Sequence, residues 1–382
     1  MLGNVIAQDE ERTLRTFLWM LCLVLISAET ASGGGVPISA PSHPPQLVFA
    51  CELDTEALQK LFADPAVMSD LTALHAGVAL ALGDLSAGRA GVVRRLNEAG
   101  IPVTAWLALP KDQGYYLNAG NEPQAAARFA EFQQWTAANG LRWAAIGLDI
   151  EPNIQEFAAM RNHKLRLLAT LAGRYFETGR VRRARAAYEA LIHRMQASGY
   201  LVETYQFPFI VDERDAHTTL LERLFGLVDV RGNREVLMLY TSFNHAMDSA
   251  VIWKYGPAAQ AIAVGSTKSD PATDAQFPPL NWEEFGHDLI VASHYSQTVG
   301  VYSLEGCVNQ GFLPRLRTMD WSQPVTIPAD AVQKVNRMRS RIHLALWMGT
   351  NLPWFVLVVV VSCGWWWIAI RRKRRRWSGG KS

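Results

Sequence analysis

Two carboxylates stand close together at the end of one apolar stretch, Trp143–Pro152 (WAAIGLDIEP). Side chains alternate across a β-strand, so Asp149 and Glu151 share a face and lie roughly 6.6 Å apart along the strand. When two acids share a site, one of them is pushed toward its protonated form. A carboxyl group that stays protonated near neutral pH is what a general acid requires. The spacing therefore indicates acid–base chemistry, and a structural ion pair or a cap at the strand end is the alternative.

The same stretch has the alternation of a strand in a barrel of parallel strands. Ile146, Leu148 and Ile150 point toward surrounding helices, and the small and acidic side chains point inward. Eight short runs are predicted to be such strands: Leu47–Leu53, Gly77–Gly83, Pro102–Leu109, Trp143–Ile150, Leu201–Phe207, Glu235–Thr241, Gln260–Ser266 and Val299–Leu304. Helical segments lie between them, so the sequence predicts an α/β fold, a (β/α)8 barrel, with an open doubly wound sheet as the alternative.

Further side chains are predicted to face the barrel interior near the carboxyl ends of the strands. Glu52, Trp106 and Tyr240 have inward parity in the first, third and sixth strands. Barrels of this class keep their active sites at that end. The connection after the fourth strand, Ile154–Ser198, is long enough for two helices, so we expect an enlarged fourth helical layer.

Aromatic and polar side chains follow the third and fifth strands. Tyr115 and Tyr116, with Trp106, offer apolar faces and polar edges of the kind that pack on sugar rings, and packing of the loop on the barrel rim is the alternative. The segment YQFPFIVDER supplies further polar candidates for the mouth: Tyr205, Gln206, Asp212 and Glu213.

The fourth strand resembles a known signature. WAAIGLDIEP is similar to the pattern Asp-x-x-Asp-x-Asp-x-Glu of the family-18 glycoside hydrolases, which include chitinases and endo-β-N-acetylglucosaminidases. Glu151 takes the position of the catalytic acid and Asp149 that of the acid beside it. Ala144 and Gly147 stand where the family carries two earlier aspartates.

Two later strands carry weaker similarities to the same family. VLMLYTS is similar to Met-x-Tyr-Asp, with Met238 and Tyr240 on the first and third positions and Thr241 in place of the aspartate. Tyr302 lies near the place where the family keeps a tryptophan at the base of the sugar site.

The resemblance implies a retaining mechanism in which Glu151 protonates the leaving oxygen. The substrate's own acetamido group would be the nucleophile, held by Asp149 and Tyr240. A mechanism with two enzyme carboxylates is the alternative, with the nucleophile drawn from Glu52, Glu203 or Glu305. The expected sugar contacts are Glu52, Trp106, Tyr115, Tyr116, Tyr205, Tyr302 and Glu305.

We therefore predict a glycoside hydrolase that acts on a polysaccharide without a cofactor or a metal. A catalytically inactive glycan-binding or scaffold barrel is the alternative. The histidines at 245, 287 and 294 have no metal-ligand spacing. The formal net charge is +2, and seven basic residues within 371–381 leave −5 for the rest, which argues against a nucleic-acid partner.

Two hydrophobic segments predict export and membrane attachment. Residues 344–370 carry no charge and exceed the roughly 20 residues that a spanning helix needs. The basic run that follows is expected to stay in the cytoplasm. Residues 1–32 have the composition of a signal peptide, with a retained membrane anchor as the alternative. The domain between the two segments is therefore expected on the periplasmic or extracellular side of a cell membrane.

The predicted organisation has six parts. They are an export segment at 1–32, a linker at 33–45, the barrel at 46–325, a juxtamembrane segment at 326–343, a transmembrane helix at 344–370 and a basic tail at 371–382. Cys51 in the first strand and Cys307 after the last would be neighbours in a closed barrel, so a disulfide between them is one option in an oxidising compartment. The protein partners are not readable from the sequence.

Overall fold

A closed barrel of eight parallel strands forms the centre of the chain. The computed structural model describes residues 35–38, 43–153, 164–268 and 277–378. The strands are β1 (Val36–Ile38), β2 (Gln46–Cys51), β3 (Gly77–Ala81), β4 (Val103–Leu107), β5 (Ala145–Asp149), β6 (Val202–Gln206), β7 (Arg234–Met238), β8 (Ala261–Gly265), β9 (Thr298–Tyr302) and β10 (Val325–Ile327). Strands β2 to β9 make the barrel in chain order, and β9 closes it against β2. The predicted α/β barrel is confirmed.

The inward and outward faces of the strands follow the predicted alternation. Ile146, Leu148 and Ile150 of the fourth barrel strand are fully buried in the hydrophobic core, where each contributes roughly 1.5–3 kcal/mol. Gly147 and Asp149 lie on the opposite face of β5. Each of the eight predicted strands overlaps an observed one, and the predicted and observed ends differ by at most three residues.

Helices surround the barrel. They are α1 (Thr55–Ala63), α2 (Pro65–Ala73), α3 (Ala87–Glu98), α4 (Glu122–Asn139), α5 (Lys164–Tyr175), α6 (Thr178–Ala197), α7 (Phe209–Asp215), α8 (Leu220–Phe225), α9 (Ala250–Tyr255), α10 (Trp282–Tyr295), α11 (Leu304–Asn309), α12 (Phe312–Leu316) and α13 (Ala329–Ser378). Helices α5 and α6 form the enlarged fourth connection that the sequence predicts. Residues 154–163, which precede α5, lie outside the described residues.

The region after the barrel differs from the predicted division. Strand β10 pairs antiparallel with β1, which lies within the predicted linker. Helix α13 then runs through the predicted juxtamembrane and transmembrane segments without a break. Its first part packs on the barrel through a buried stripe with helical spacing: Ala331, Val335, Met338, Ile342 and Leu346. The predicted boundaries at 325 and 343 are therefore not structural breaks.

The structure describes only the second of the two hydrophobic segments. Residues 1–32 lie outside the described residues. Within the ranges that the structure describes, no helix carries an apolar stretch long enough to cross a membrane. The membrane-spanning role of 344–370 stays a prediction.

Candidate active site at the barrel mouth

Main-chain pairing carries the fourth barrel strand beyond Asp149 and so determines where Glu151 lies. Leu117, in the loop after β4, forms a parallel bridge with Ile150. The Leu117 amide donates to the carbonyl of Asp149 at 3.0 Å, and the Glu151 amide donates to the carbonyl of Leu117 at 3.0 Å. Because the extended backbone continues, Glu151 stays on the same face as Asp149. The predicted pair is therefore present at the carboxyl end of the barrel.

Both acids of the pair are buried with unsatisfied oxygens. Asp149 is 4% exposed and Glu151 is 5% exposed. Asp149 Oδ1 and Glu151 Oε2 have no hydrogen-bond partner among the described residues. A buried, unpaired carboxylate is costly, so such a group takes up a proton instead.

Burial and neighbouring acids act on the pair in the same direction. Desolvation is the main cause that raises the pKa of Asp149 well above its usual value, and the charge of Glu52 adds to it. Desolvation also raises the pKa of Glu151, followed by the charges of Asp149 and Glu52. The three acids thus form one electrostatic group in which the pair holds a proton more tightly than an isolated carboxyl group does.

Tyrosines cover this acidic group. Tyr302 donates a hydrogen bond to Glu52 Oε2 at 2.7 Å. Burial, followed by the charge of Glu52, raises the pKa of Tyr115 well above its usual value. The rings of Tyr240 and Tyr302 stack with centroids 5.7 Å apart. Tyr115 and Tyr116 meet edge to face at 4.9 Å. The mouth is therefore aromatic and acidic, with hydroxyl groups at its rim.

A cavity of about 50 Å³ lies below the mouth inside the barrel. Small inward residues such as Ala79, Ala263 and Gly300 leave this space, and Asp149 and Trp106 line it. The indole Nε1 of Trp106 is buried and has no hydrogen-bond acceptor among the described residues. The cavity thus has largely apolar walls, along which Asp149 Oδ1 and Trp106 Nε1 are buried without a hydrogen-bond partner among the described residues.

Glu203, one of the candidate nucleophiles, is already bound by two neighbouring side chains. Arg234 forms a salt bridge with its carboxylate, and Tyr205 donates to Glu203 Oε2 at 2.9 Å. Glu203 is in register with Gly147, one inward position below Asp149. Its charge is therefore compensated, below the level of the acid pair.

Glu305, another candidate nucleophile, is buried near Lys268. Lys268 Nζ lies 3.9 Å from Glu305 Oε1. Burial is the main cause that raises the pKa of Glu305, and Lys268 opposes it. Of the three proposed nucleophiles, Glu52 is thus the one that acts on both members of the pair.

Several other predicted mouth residues point away from the pair. Gln206 donates to the carbonyl of Val228. Asp212 is bound by the terminal helix α13, and Glu213 accepts from the amides of Leu221 and Glu222. These three candidates are therefore not part of the mouth, because each side chain binds a helix or a loop on the outside of the barrel.

Thr241 also departs from the family pattern. Its hydroxyl donates to Asp288 of α10, which Ser249 also contacts at 2.6 Å. Desolvation raises the pKa of Asp288 to about 7. Sequence spacing does not reveal this cluster, because its members come from three separate elements.

Two groups of carboxylate and histidine ligands lie close enough to hold an ion: Asp212, Asp215 and His343, and Asp248, His287 and Asp288. In each, one buried carboxylate already accepts hydrogen bonds from protein donors. We therefore assign no metal to either group.

Cys51 and Cys307 are both buried and both carry free thiols. The disulfide that the sequence left open as one option is therefore not formed in the structure. Burial raises the pKa of Cys307 to about 12, so its thiol stays protonated.

Comparison with known proteins finds distant similarity to several solved structures. No protein-family model and no curated protein matches the chain. The PgaB (BpsB) glycoside hydrolase domain from Bordetella bronchiseptica is 12% identical over 72% of this chain and 98% of that one, with a TM-score of 0.42. The endo-β1,6-glucanase BT3312 is 12% identical over 72% and 70%, with a TM-score of 0.37. A D-allulose 3-epimerase from Methylomonas sp. is 12% identical over 79% and 98%, with a TM-score of 0.38. The function proposed below rests on the geometry of the site.

Proposed function

We propose that the chain is a glycoside hydrolase that acts on a polysaccharide, with Glu151 as general acid and base and Asp149 as its partner. One observation carries the proposal. The two acids are buried side by side at the mouth of the barrel, and no described Lys or Arg forms a salt bridge with either. Stability alone does not favour such a pair, whereas proton transfer requires one.

The first step follows from the protonation of the pair. Glu151 donates its proton to the glycosidic oxygen as the bond breaks, and the positive charge then grows on the sugar ring. The neighbouring carboxylates Asp149 and Glu52 stabilise that charge. Glu151, now ionised, takes a proton from the water that completes hydrolysis.

Two routes supply the nucleophile. On an N-acetyl sugar, the substrate's acetamido group attacks while Asp149 and Tyr240 hold it. On other sugars, Glu52 attacks, since its carboxylate is oriented by Tyr302. The variant Glu52→Gln separates the routes, because it abolishes the second and leaves turnover by the first.

The rim provides the sugar contacts in this proposal. Tyr116, Tyr240 and Tyr302 offer aromatic faces, and Trp106 offers a buried indole N–H. Tyr205 is removed from the set of direct contacts, because its hydroxyl is bound to Glu203. Glu305 remains at the edge of the site, beside Lys268.

Membrane attachment is part of the proposal on the strength of the sequence. The uncharged run at 344–370 and the basic run after it support a tether with the barrel outside the cytoplasm. The exposed tryptophans Trp354, Trp365 and Trp366 are consistent with an interfacial belt.

Turnover on a panel of cell-wall and exported polysaccharides tests the function. We expect the full-length protein to release reducing ends from at least one polymer. Glu151→Gln should lower that rate by about 10²- to 10⁴-fold, the usual contribution of a general acid. Glu283→Gln, at an exposed position of α10, is the matched control and should leave the rate unchanged.

A glycan-binding barrel without activity is the second candidate. The observation that favours it is the small exposed fraction of both acids beneath the tyrosines. Binding of a polymer without release of reducing ends, equal in wild type and Glu151→Gln, would establish this candidate and exclude the hydrolase.

A further inference from the structure

Gly147 and Tyr205 occupy one space between neighbouring strands. Gly147 is the inward residue of β5 below Asp149, and Tyr205 of β6 is in register with Asp149. A Cβ atom on residue 147 would lie 2.6 Å from Tyr205 Cε2 and 2.9 Å from Tyr205 Oη. The tyrosine ring therefore fills the place where a side chain of residue 147 would stand. No larger residue fits at 147 unless the ring moves.

Tyr205 is held in this position from below. Its hydroxyl donates to Glu203 Oε2 at 2.9 Å. Arg234 binds the other oxygen of Glu203 through Nε at 3.0 Å, and Arg234 Nη1 donates to Thr298 Oγ1 at 3.0 Å. Three strands thus contribute to one anchor for the ring.

The anchor also uses the only proton that Tyr205 can donate. A phenol has a single O–H donor, and Glu203 accepts it. Tyr205 therefore presents a ring near Asp149 while its donor is directed elsewhere. Asp149 Oδ1 accordingly has no hydrogen-bond partner among the described residues.

No positively charged neighbour among the described residues makes up for the missing donor at Asp149. Titratable groups that interact with Asp149 or Glu151 come from the residue after β2, from β6 and from the loops after β4 and β7: Glu52, Tyr205, Tyr115, Tyr116 and Tyr240. Three cations of the described residues are engaged by other acids. Arg234 is bound to Glu203, and Lys268 lies near Glu305. Arg89 is bound to Asp84.

We propose that Tyr205, anchored by Glu203 and Arg234, is a positioning residue that keeps Asp149 dry and without a donor, so that the Asp149–Glu151 pair keeps its proton. The inference extends the proposed function by assigning the control of the general acid to a neighbouring strand. A glycine at residue 147 leaves the space that the Tyr205 ring of β6 occupies.

Infrared titration of the protonated carboxyl groups tests the proposal without a substrate. The band of the pair is assigned by its loss in Asp149→Asn and Glu151→Gln. In Tyr205→Ala, water reaches Asp149, and the titration midpoint should fall by about one pH unit or more. Tyr205→Phe keeps the ring and should stay within about 0.3 of the wild-type midpoint.

A second variant and a control distinguish the proposed effect on the midpoint from an effect of misfolding. Gly147→Ala displaces the ring with a single methyl group and should also lower the midpoint. Tyr200→Ala removes a half-buried tyrosine that packs on Phe129 and Phe132 outside the barrel, and it should not change the midpoint. If Tyr205→Ala does not fold, Gly147→Ala decides the result.

The outcomes separate this inference from the proposed function. Wild-type midpoints in the folded Tyr205→Ala and Gly147→Ala proteins would overturn the role of Tyr205. A lowered midpoint in a protein that hydrolyses no glycan would support the role of Tyr205 and refute the hydrolase. With an active substrate, the basic limb of the kcat/KM profile should move by the same amount as the midpoint.

Discussion

Asp212 and Asp149 are both buried aspartates, and their surroundings differ in kind. Asp212 is fully buried on α7, where Arg339 Nε donates to its Oδ1 at 2.7 Å and His343 Nε2 lies 3.1 Å from the same atom. Tyr255 donates to the other oxygen. Asp149 has Glu52 and Glu151 as charged neighbours, and one of its oxygens has no partner within the described ranges.

In our proposal, this difference distinguishes a structural acid, Asp212, from a catalytic one, Asp149. Asp212 fastens the first part of α13 to the barrel, and its charge is compensated by the partners it binds. The pair at the mouth is left uncompensated although the barrel can compensate an inward acid, as Arg234 does for Glu203. A buried charge without a partner costs stability, so its presence in a cleft indicates chemistry.

Removal of the compensated acid should have the larger effect on stability. Asp212→Ala leaves Arg339 without its buried partner, and the free energy of unfolding should fall by about 3–5 kcal/mol. Denaturant unfolding of the full-length protein at pH 7 measures this. Asp215→Ala is the control, since Asp215 is about half exposed and an exposed pair contributes about 0–1 kcal/mol. A loss below about 1 kcal/mol in Asp212→Ala would show that Asp212 does not have the structural role that distinguishes it from Asp149.

Neutralisation of the uncompensated acid should cost little stability or none. Asp149→Asn should keep the free energy of unfolding at pH 7 within about 1 kcal/mol of wild type or raise it, because the desolvation cost of the charge disappears. A loss as large as that of Asp212→Ala would show that Asp149 has a structural role.

The pH dependence of the same measurement has a definite sign. The folded-state pKa of Asp149 is raised, so the folded protein binds more protons than the unfolded chain above the ordinary aspartate pKa of about 4. The stabilisation is complete below that pH and is lost as pH rises through the folded-state pKa. Asp149→Asn should therefore show a weaker decline in stability with rising pH than wild type.

Local alternation was sufficient to predict the barrel and the place of the acids. The second, fourth and seventh predicted strands have branched residues on one face and small or acidic residues on the other, and the structure keeps this alternation, whereas the fifth and eighth carry polar groups on both faces. Asp149, Glu151, Glu52 and Tyr240 lie at the mouth because of their inward parity.

The contacts that distinguish Asp212 from Asp149 join residues far apart in the sequence, so local spacing does not predict them. Arg339 and Asp212 are 127 residues apart, and nothing near either residue in the sequence identifies the partner. The space over Gly147 is filled by Tyr205 from the next strand, which explains a glycine that appears in the sequence as a lost aspartate. The docked part of α13 had a usable signal, the stripe Val335, Met338, Ile342 and Leu346, but its many charges favoured a juxtamembrane interpretation.

Dependence on the leaving group tests the role of Glu151 most directly. The measurement compares wild type and Glu151→Gln on the polysaccharide and on a dinitrophenyl glycoside of the same sugar, whose leaving group departs without a proton. We predict that the variant loses about 10²- to 10⁴-fold in kcat/KM on the polysaccharide and stays close to wild type in kcat/KM for the dinitrophenyl glycoside, because this constant does not include the later water step. An equal loss on both substrates would contradict the assignment of Glu151 as the general acid.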